Sequence, residues 1–271
     1  MRGEEKLGSH VGMILSFVIF ITFIVFLYSV IRPTIQTGED KKTMVGDIEN
    51  AIMENLSANL TTATASINKN DKDPCIELGS FLLDIQSSFF IDPQSSISDV
   101  YLRAIVKEGT GDIVNSANDD WPDLAISRKD PNNNFFFKVF FSPKFGKLST
   151  GQCPCGRIYF FSPLKCAIAK GDYILGSIDT GQYIYLGQSA NNDGVYSLVN
   201  YYNSNYEKLK TQLKITPGNE FWFSFIQSDG TVISPNPKSA PQASIYVDRT
   251  PVQYFDSNAN LLSGFLEVRV W

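Results

Sequence analysis

The spacing of apolar positions changes along the chain, and each change predicts a different element. The first run, Val11–Ile31, contains no charged residue. As an α-helix, its roughly 21 residues would span roughly 30 Å, about the hydrocarbon thickness of a bilayer. Arg32 and Pro33 follow as a polar break. The run predicts a single transmembrane helix over residues 11–31.

A second pattern predicts an amphipathic helix beyond this break. Apolar side chains recur there at three- and four-residue spacing, at Val45, Ile48, Ile52, Leu56 and Leu60. Asp47, Asn50 and Glu54 fall on the opposite face, whereas Glu49 lies nearer the apolar stripe. We therefore expect a stalk over residues 32–68 that contains a helix of roughly four turns.

Strand signals dominate after the stalk. Segments rich in aromatic and β-branched residues alternate with turn clusters. These segments are 99–109, 134–143, 157–163, 173–178, 182–187, 220–226, 231–233, 244–256 and 264–271. Tyr201–Lys214 interrupts them with helical spacing, and Pro217 and Gly218 end that helix. The predicted class is α+β, with a mainly antiparallel β domain and one helix over residues 69–271.

The region after the span carries features of an extracytoplasmic domain. It contains all four cysteines, an even number that suits disulfides in an oxidising compartment. It also contains two N-glycosylation sequons, beginning at Asn55 and Asn59. Long domains translocate largely regardless of flanking charge. We expect residues 1–10 in the cytoplasm and the β domain outside the cell membrane.

Three processing fates compete for the apolar segment. A cleaved secretory signal has a shorter apolar core and a small-residue cleavage site. An uncleaved signal anchor has a longer apolar core and needs no cleavage site. A pilin-type leader would be cut after a short basic segment, and Arg2-Gly3 before Glu4 has that pattern, which makes Gly3 the candidate cleavage site.

The cysteines offer the sharpest candidate chemistry. They are Cys75, Cys153, Cys155 and Cys166. As thiolates they would supply four metal ligands, but structural zinc sites usually pair CxxC with CxxC or HxxxH, and redox pairs favour CxxC. Two disulfides are the favoured interpretation, in which Cys166 joins Cys153 or Cys155 and the remaining thiol joins Cys75. The short loop that Cys166 would close with Cys153 or Cys155 stabilises the fold by about 3 kcal/mol in the chain-entropy model.

The remaining inventory argues against an enzyme and against nucleic-acid binding. The net charge is −5, and no basic stripe with interleaved aromatics is present. The one histidine, His10, lies at the start of the span, so no Ser-His or Cys-His pair can form in the β domain. The acidic segment 115–123 lacks the EF-hand pattern and is interpreted as a turn. No cofactor is expected.

Three segments bring a family resemblance. The first is the N-terminal plan, in which one apolar helix runs into an amphipathic helix and a β-rich domain. The others are NYYNSNYEKLKTQLKITPGNEFWFSF over Asn200–Phe225 and the final LEVRVW that ends at Trp271. Together they resemble archaeal type IV pilin-like and pseudopilin-like membrane proteins. The resemblance implies a lollipop shape outside the cell, and a minor pilus subunit or anchored surface protein.

Three functions follow as hypotheses. The first is a membrane-anchored, pilin-like structural or interaction protein, whose partners are the lipid bilayer and other pilin-like subunits or surface proteins. The alternative is an anchored module that binds glycans or proteins through Trp121 and the tyrosines of Tyr201–Tyr206. A weaker alternative is an ectoenzyme with carboxylate chemistry, which needs no local motif.

Overall fold

The fold was analysed in a computed structural model of the 271-residue chain. The structure describes residues 5–67, 75–88, 104–109, 112–114, 116–117, 124–127, 136–145, 169–238 and 245–271.

Three α-helices and twelve strands organise the described residues. The helices are α1 (Glu5–Leu56), α2 (Phe81–Ser88) and α3 (Gly194–Gln212), and Ser189–Asn191 forms a 3₁₀ turn. The strands are β1 (Ser57–Ile67), β2 (Cys75–Leu78), β3 (Ala104–Glu108), β4 (Ser116–Ala117), β5 (Leu124–Ser127), β6 (Phe136–Phe141), β7 (Ala169–Lys170), β8 (Tyr173–Tyr185), β9 (Phe221–Ile226), β10 (Val232–Ile233), β11 (Tyr246–Phe255) and β12 (Leu261–Val270). We use "head" for the chain from Lys41 to Trp271.

The predicted transmembrane helix and stalk helix are one element. Helix α1 runs for 52 residues without interruption, so Arg32 and Pro33 lie within it rather than at a break. At about 1.5 Å per residue, α1 is about 78 Å long. Its last four turns carry the predicted amphipathic pattern, because Val45, Ile48 and Ile52 are buried.

The stalk ends earlier than the sequence predicts. Helix α1 stops at Leu56, and the Thr- and Ala-rich segment Ser57–Ile67 is strand β1. Along β1 buried and less buried positions largely alternate, with Leu60, Ala63 and Ala65 buried. A strand is favoured there because β-branched threonines fit a pleated surface better than a helix. Residues 57–67 of the predicted stalk therefore belong to the centre of a sheet.

An eight-stranded sheet forms the main body of the head. Its strand order is β10-β9-β12-β11-β8-β1-β6-β3. Every pairing is antiparallel except β11 with β8, which run parallel and pair at only two positions. The mainly antiparallel prediction is confirmed. The segments 173–178 and 182–187, predicted as separate strands, form the single strand β8.

A smaller sheet, ordered β4-β5-β2-β7, packs against strands β1, β3 and β6 of the large sheet. The prediction of one helix in the β domain was incomplete, because the domain contains α2 in addition to α3. Helix α2 has only eight residues, and two of its apolar side chains, Phe81 and Ile85, are fully buried. So short an element gives too little periodicity to separate it from a strand.

Of the three apolar clusters in the described part of the head, two are large. The first joins the end of α1 and helix α3 to β9, β11 and β12. The second joins β1, β3 and β6 to the smaller sheet and α2. The buried Lys107 of β3 reaches the β11–β12 turn, where its Nζ donates to Asn260 Oδ1 at 2.7 Å and to the Ala259 carbonyl at 3.2 Å. Burial lowers the pKa of this lysine.

Candidate functional site

The first half of α1 is a continuous apolar surface. The window Gly12–Ser29 has a mean hydropathy of 2.4, and none of it is buried against the rest of the protein. Large side chains such as Phe17, Phe20 and Phe26 are 58–63% exposed. By length and composition, this is the one helix in the described part of the chain that could cross a membrane. Apolar surface of this extent marks a membrane or protein interface.

The second half of α1 is built into the head. Val45, Ile48, Ile52 and Leu56 are at most 6% exposed and belong to the same apolar cluster as α3 and the sheet. The helix contacts β8, β11, β12 and α3. At roughly 1.5–3 kcal/mol per buried aliphatic side chain, these four contribute up to about 6–12 kcal/mol. The apolar segment and the head are therefore joined by a strongly packed element.

Glu49 departs from this apolar packing. It is 6% exposed, and its Oε1 has no hydrogen-bond partner among the described residues. The sequence placed Glu49 near the apolar stripe, and the structure confirms that position. A buried polar atom without a partner lowers stability.

A tyrosine cluster holds α3 on the sheet. The Tyr202 hydroxyl donates to the Phe221 carbonyl at 2.7 Å, and the Tyr206 hydroxyl donates to Glu220 Oε2 at 2.5 Å. Lys210 Nζ lies 2.8 Å from the other carboxylate oxygen of Glu220. Burial raises the pKa of Tyr202 to about 12. Burial opposes ionisation of Glu220, but the bonds from Lys210 and Tyr206 outweigh it and hold its pKa below the usual value.

The outer face of β11 and β12 carries a charged ladder. Glu267 is nearly buried and accepts from Arg249 at 2.7 Å and from Arg269 at 2.6 Å. Arg269 also stacks over Trp222, with 4.8 Å between the guanidinium carbon and the ring centroid, and Arg249 lies over Phe265 at 5.8 Å. This ladder was not among the features predicted from the sequence.

A signal for the ladder was present in the sequence. Glu267 and Arg269 are two residues apart in a strand and so share a face. The β11–β12 register pairs Arg249 with Glu267 across a turn centred on Asn258. A hairpin prediction around the DSNAN turn would therefore have placed the two charges opposite each other.

Both predicted glycosylation asparagines are accessible. Asn55 lies in the last turn of α1, where its Nδ2 donates to the Ala51 carbonyl at 2.8 Å. Asn59 lies on β1 opposite Gln182 of β8. Both side chains are exposed. Their modification stays a prediction.

The other predicted site residues are only partly placed. Cys75 begins β2, whereas Cys153, Cys155 and Cys166 lie outside the described residues, so both disulfides stay predictions. Gly3 and Trp121 also lie outside them.

Tyr202 and Tyr206 of the proposed binding surface are buried in the core, where their aromatic rings pack on β9. Two of the tyrosines that suggested a glycan- or protein-binding module therefore pack internally.

No metal-binding group is found in the part of the chain that the structure describes. There, no three His, Cys, Asp or Glu side chains approach closely enough to hold a metal ion. Comparison with protein-family models, with curated proteins and with solved structures finds no match to this chain.

Proposed function

We propose that this chain is a single-pass, membrane-anchored protein that displays its head outside the cell as a pilin-like structural or interaction protein. The observation that carries this proposal is helix α1. One helix bears an exposed apolar window, Gly12–Ser29, and then enters the core of the head. It is thus both an anchor and part of the fold.

The energetics of the apolar window support anchoring. A solvated stretch of large aliphatic and aromatic side chains is unfavourable in water, and a bilayer removes that surface from water. The window contains no Asp, Glu, Lys or Arg. Lys41, where the head begins, lies twelve residues after Ser29, so about 18 Å of helix separates the head from the apolar window.

The position of the polar modification sites supports an outside head. Asn55 and Asn59 are exposed at the start of the head, and all four cysteines follow the span. Both features suit an extracellular compartment. The pilin-like part of the proposal rests on the plan of α1 followed by a β-rich head.

A topology and processing experiment tests the proposal. Intact-mass measurement of the protein purified from membranes distinguishes a chain that begins at Glu4, as pilin-type cleavage after Gly3 predicts, from one that retains Met1 or Arg2. Protease added outside intact cells should remove the head. If the head is protected until the membrane is broken, the outside location is wrong.

A charge placed in the span tests the anchor itself. Phe20→Arg together with Ile24→Arg would cost about 5–7 kcal/mol of insertion free energy at helix-centre values. We expect this double variant to be recovered in the carbonate-soluble fraction. The matched control, Phe20→Leu with Ile24→Leu, should stay in the membrane pellet. Equal pelleting of both variants would contradict membrane insertion by α1.

A further inference from the structure

A groove lies beside the part of α1 that joins the apolar window to the head. It lies between residues 41–51 of α1 and the turn that connects α3 to β9, and its volume is ≈ 790 Å³. Its lining residues are Lys41, Thr43, Met44, Asp47, Ala51, Gln212, Leu213, Lys214, Thr216 and Asn219. That volume falls in the usual range for small-molecule sites. None of these residues belongs to the tyrosine cluster or the charged ladder.

Two lysines give the groove a positive charge. Lys41 and Lys214 form no ion pair with any described residue, whereas the nearby Lys210 is paired with Glu220. The Lys41 Nζ lies 5.8 Å from the centroid of the Tyr246 ring. Asp47 is the single acidic side chain in the lining. The groove therefore has an excess of positive charge.

The backbone holds Lys214 in an uncommon conformation. Its φ is 55°, at the end of α3, where the Ile215 N–H donates to the Lys210 carbonyl at 3.0 Å. Helix ends of this kind usually place glycine at the left-handed position, because a side chain there is disfavoured. A positive charge at this position interacts favourably with the dipole of α3, and the turn fixes the backbone from which the Lys214 side chain extends.

We propose that this groove binds a small phosphate-bearing ligand of the phosphorylated polyol or sugar class. An ammonium group is a compact point charge that suits a tetrahedral phosphate, whereas planar carboxylates favour the arginine fork. The hydroxyl of Thr216 and the amides of Gln212 and Asn219 suit both the phosphate oxygens and the polyol hydroxyls. Asp47 accepts hydroxyl donors from the polyol part.

The position of the groove favours a soluble ligand over a lipid headgroup. Lys41 lies about 18 Å along α1 from Ser29, whereas the headgroup layer adds only about 5–8 Å to each side of the hydrocarbon core. Lipid phosphates of the same bilayer therefore lie roughly 10 Å below the groove. This inference does not depend on which side of the membrane the head occupies.

Calorimetric titration of the full chain in a non-ionic detergent tests the proposal. The probe is glycerol 3-phosphate, with glycerol as the uncharged comparison, and a second arm uses nanodiscs with and without phosphatidylglycerol. We expect saturable binding of glycerol 3-phosphate that weakens with salt, and no binding of glycerol. If saturable binding is seen only in nanodiscs that contain phosphatidylglycerol, the phosphate that the groove binds belongs to a lipid headgroup.

Matched lysine variants separate the groove from general surface charge. Lys41→Gln and Lys214→Asn should each raise the Kd for glycerol 3-phosphate about tenfold or more, since asparagine tolerates the left-handed turn. Lys42→Gln, an exposed neighbour outside the lining, should leave Kd unchanged. Thermal unfolding without ligand checks that each variant is folded. The proposal is overturned if glycerol 3-phosphate does not bind saturably, or if the two groove variants and Lys42→Gln all bind it equally well.

Discussion

Replacement of Glu49 by methionine should stabilise the head. Glu49 lies on the part of α1 that packs into the first apolar cluster, and its buried Oε1 has no hydrogen-bond partner in the part of the chain that the structure describes. Methionine is unbranched, has nearly the same length, and fills irregular space in cores. The substitution therefore removes an unsatisfied polar atom and leaves little new cavity.

The expected gain follows from the cost of an unsatisfied buried group, about 1–3 kcal/mol. Glutamate and methionine have similar helix propensities, so that term nearly cancels. For a folded unit of 150–250 residues, 1 kcal/mol shifts Tm by about 2–4 °C, which gives an increase of about 2–12 °C. Glu54→Met is the matched control, because Glu54 is exposed on the opposite face of α1 and should change stability by less than about 0.5 kcal/mol.

Urea and thermal unfolding of the full chain in detergent, followed by tryptophan fluorescence, would measure both variants. Trp222 and Trp271 lie in or beside the sheet that α1 packs against. If Glu49→Met lowers the free energy of unfolding while Glu54→Met does not, the carboxylate has a stabilising partner and the packing described for this part of α1 is wrong.

Three further substitutions test the head by the same unfolding assay. Burial opposes ionisation of Glu267, but the bonds from Arg269 and Arg249 outweigh it and lower its pKa, so the ionised carboxylate stabilises the fold above its unfolded pKa. Glu267→Gln should therefore lower the free energy of unfolding at pH 7. The difference in free energy between the two proteins should vanish as the pH falls through the folded pKa of Glu267. Gly194→Ala should be more destabilising than Gly218→Ala, because both have positive φ but only the Cβ at 194 would overlap neighbouring backbone; equal losses would contradict this. Tyr202→Phe should cost about 1 kcal/mol, through loss of a 2.7 Å bond to a β9 carbonyl; an unchanged Tm would show that this bond contributes nothing.

The sequence predicted those elements whose periodicity is long or strong. The apolar run and the stripe from Val45 to Leu60 both predicted α-helix, which the structure confirms as far as Leu56, and the aromatic segment 220–226 predicted strand β9. Periodicity failed where a local signal disagreed with tertiary packing. Pro33 suggested a break in a helix that continues, and β1 followed the helix with no turn signal between them.

The charged groups of the head were harder to predict because partners come from distant segments. Glu267 meets Arg249 only once the hairpin register is known, and Lys41 and Lys214 line the same groove only after α3 has packed against α1. The hairpin around the DSNAN turn gives a local signal for the first pair, whereas Lys41 and Lys214 have no spacing that a linear pattern could reveal. The position of Glu49 near the apolar stripe could be predicted from the sequence, because the periodicity of a single helix determines it.

Helix α1 runs without interruption from the apolar window into the head, so in the proposed membrane-anchored state any tilt of the helix would be transmitted directly to the head. From Ser29 to Leu56 the helix extends about 40 Å beyond the apolar window, at about 1.5 Å per residue. Membrane helices tilt by about 20° on average, and that tilt would carry the far end of α1 about 14 Å sideways. A change in bilayer thickness that alters the tilt would thus move the head laterally over the membrane surface.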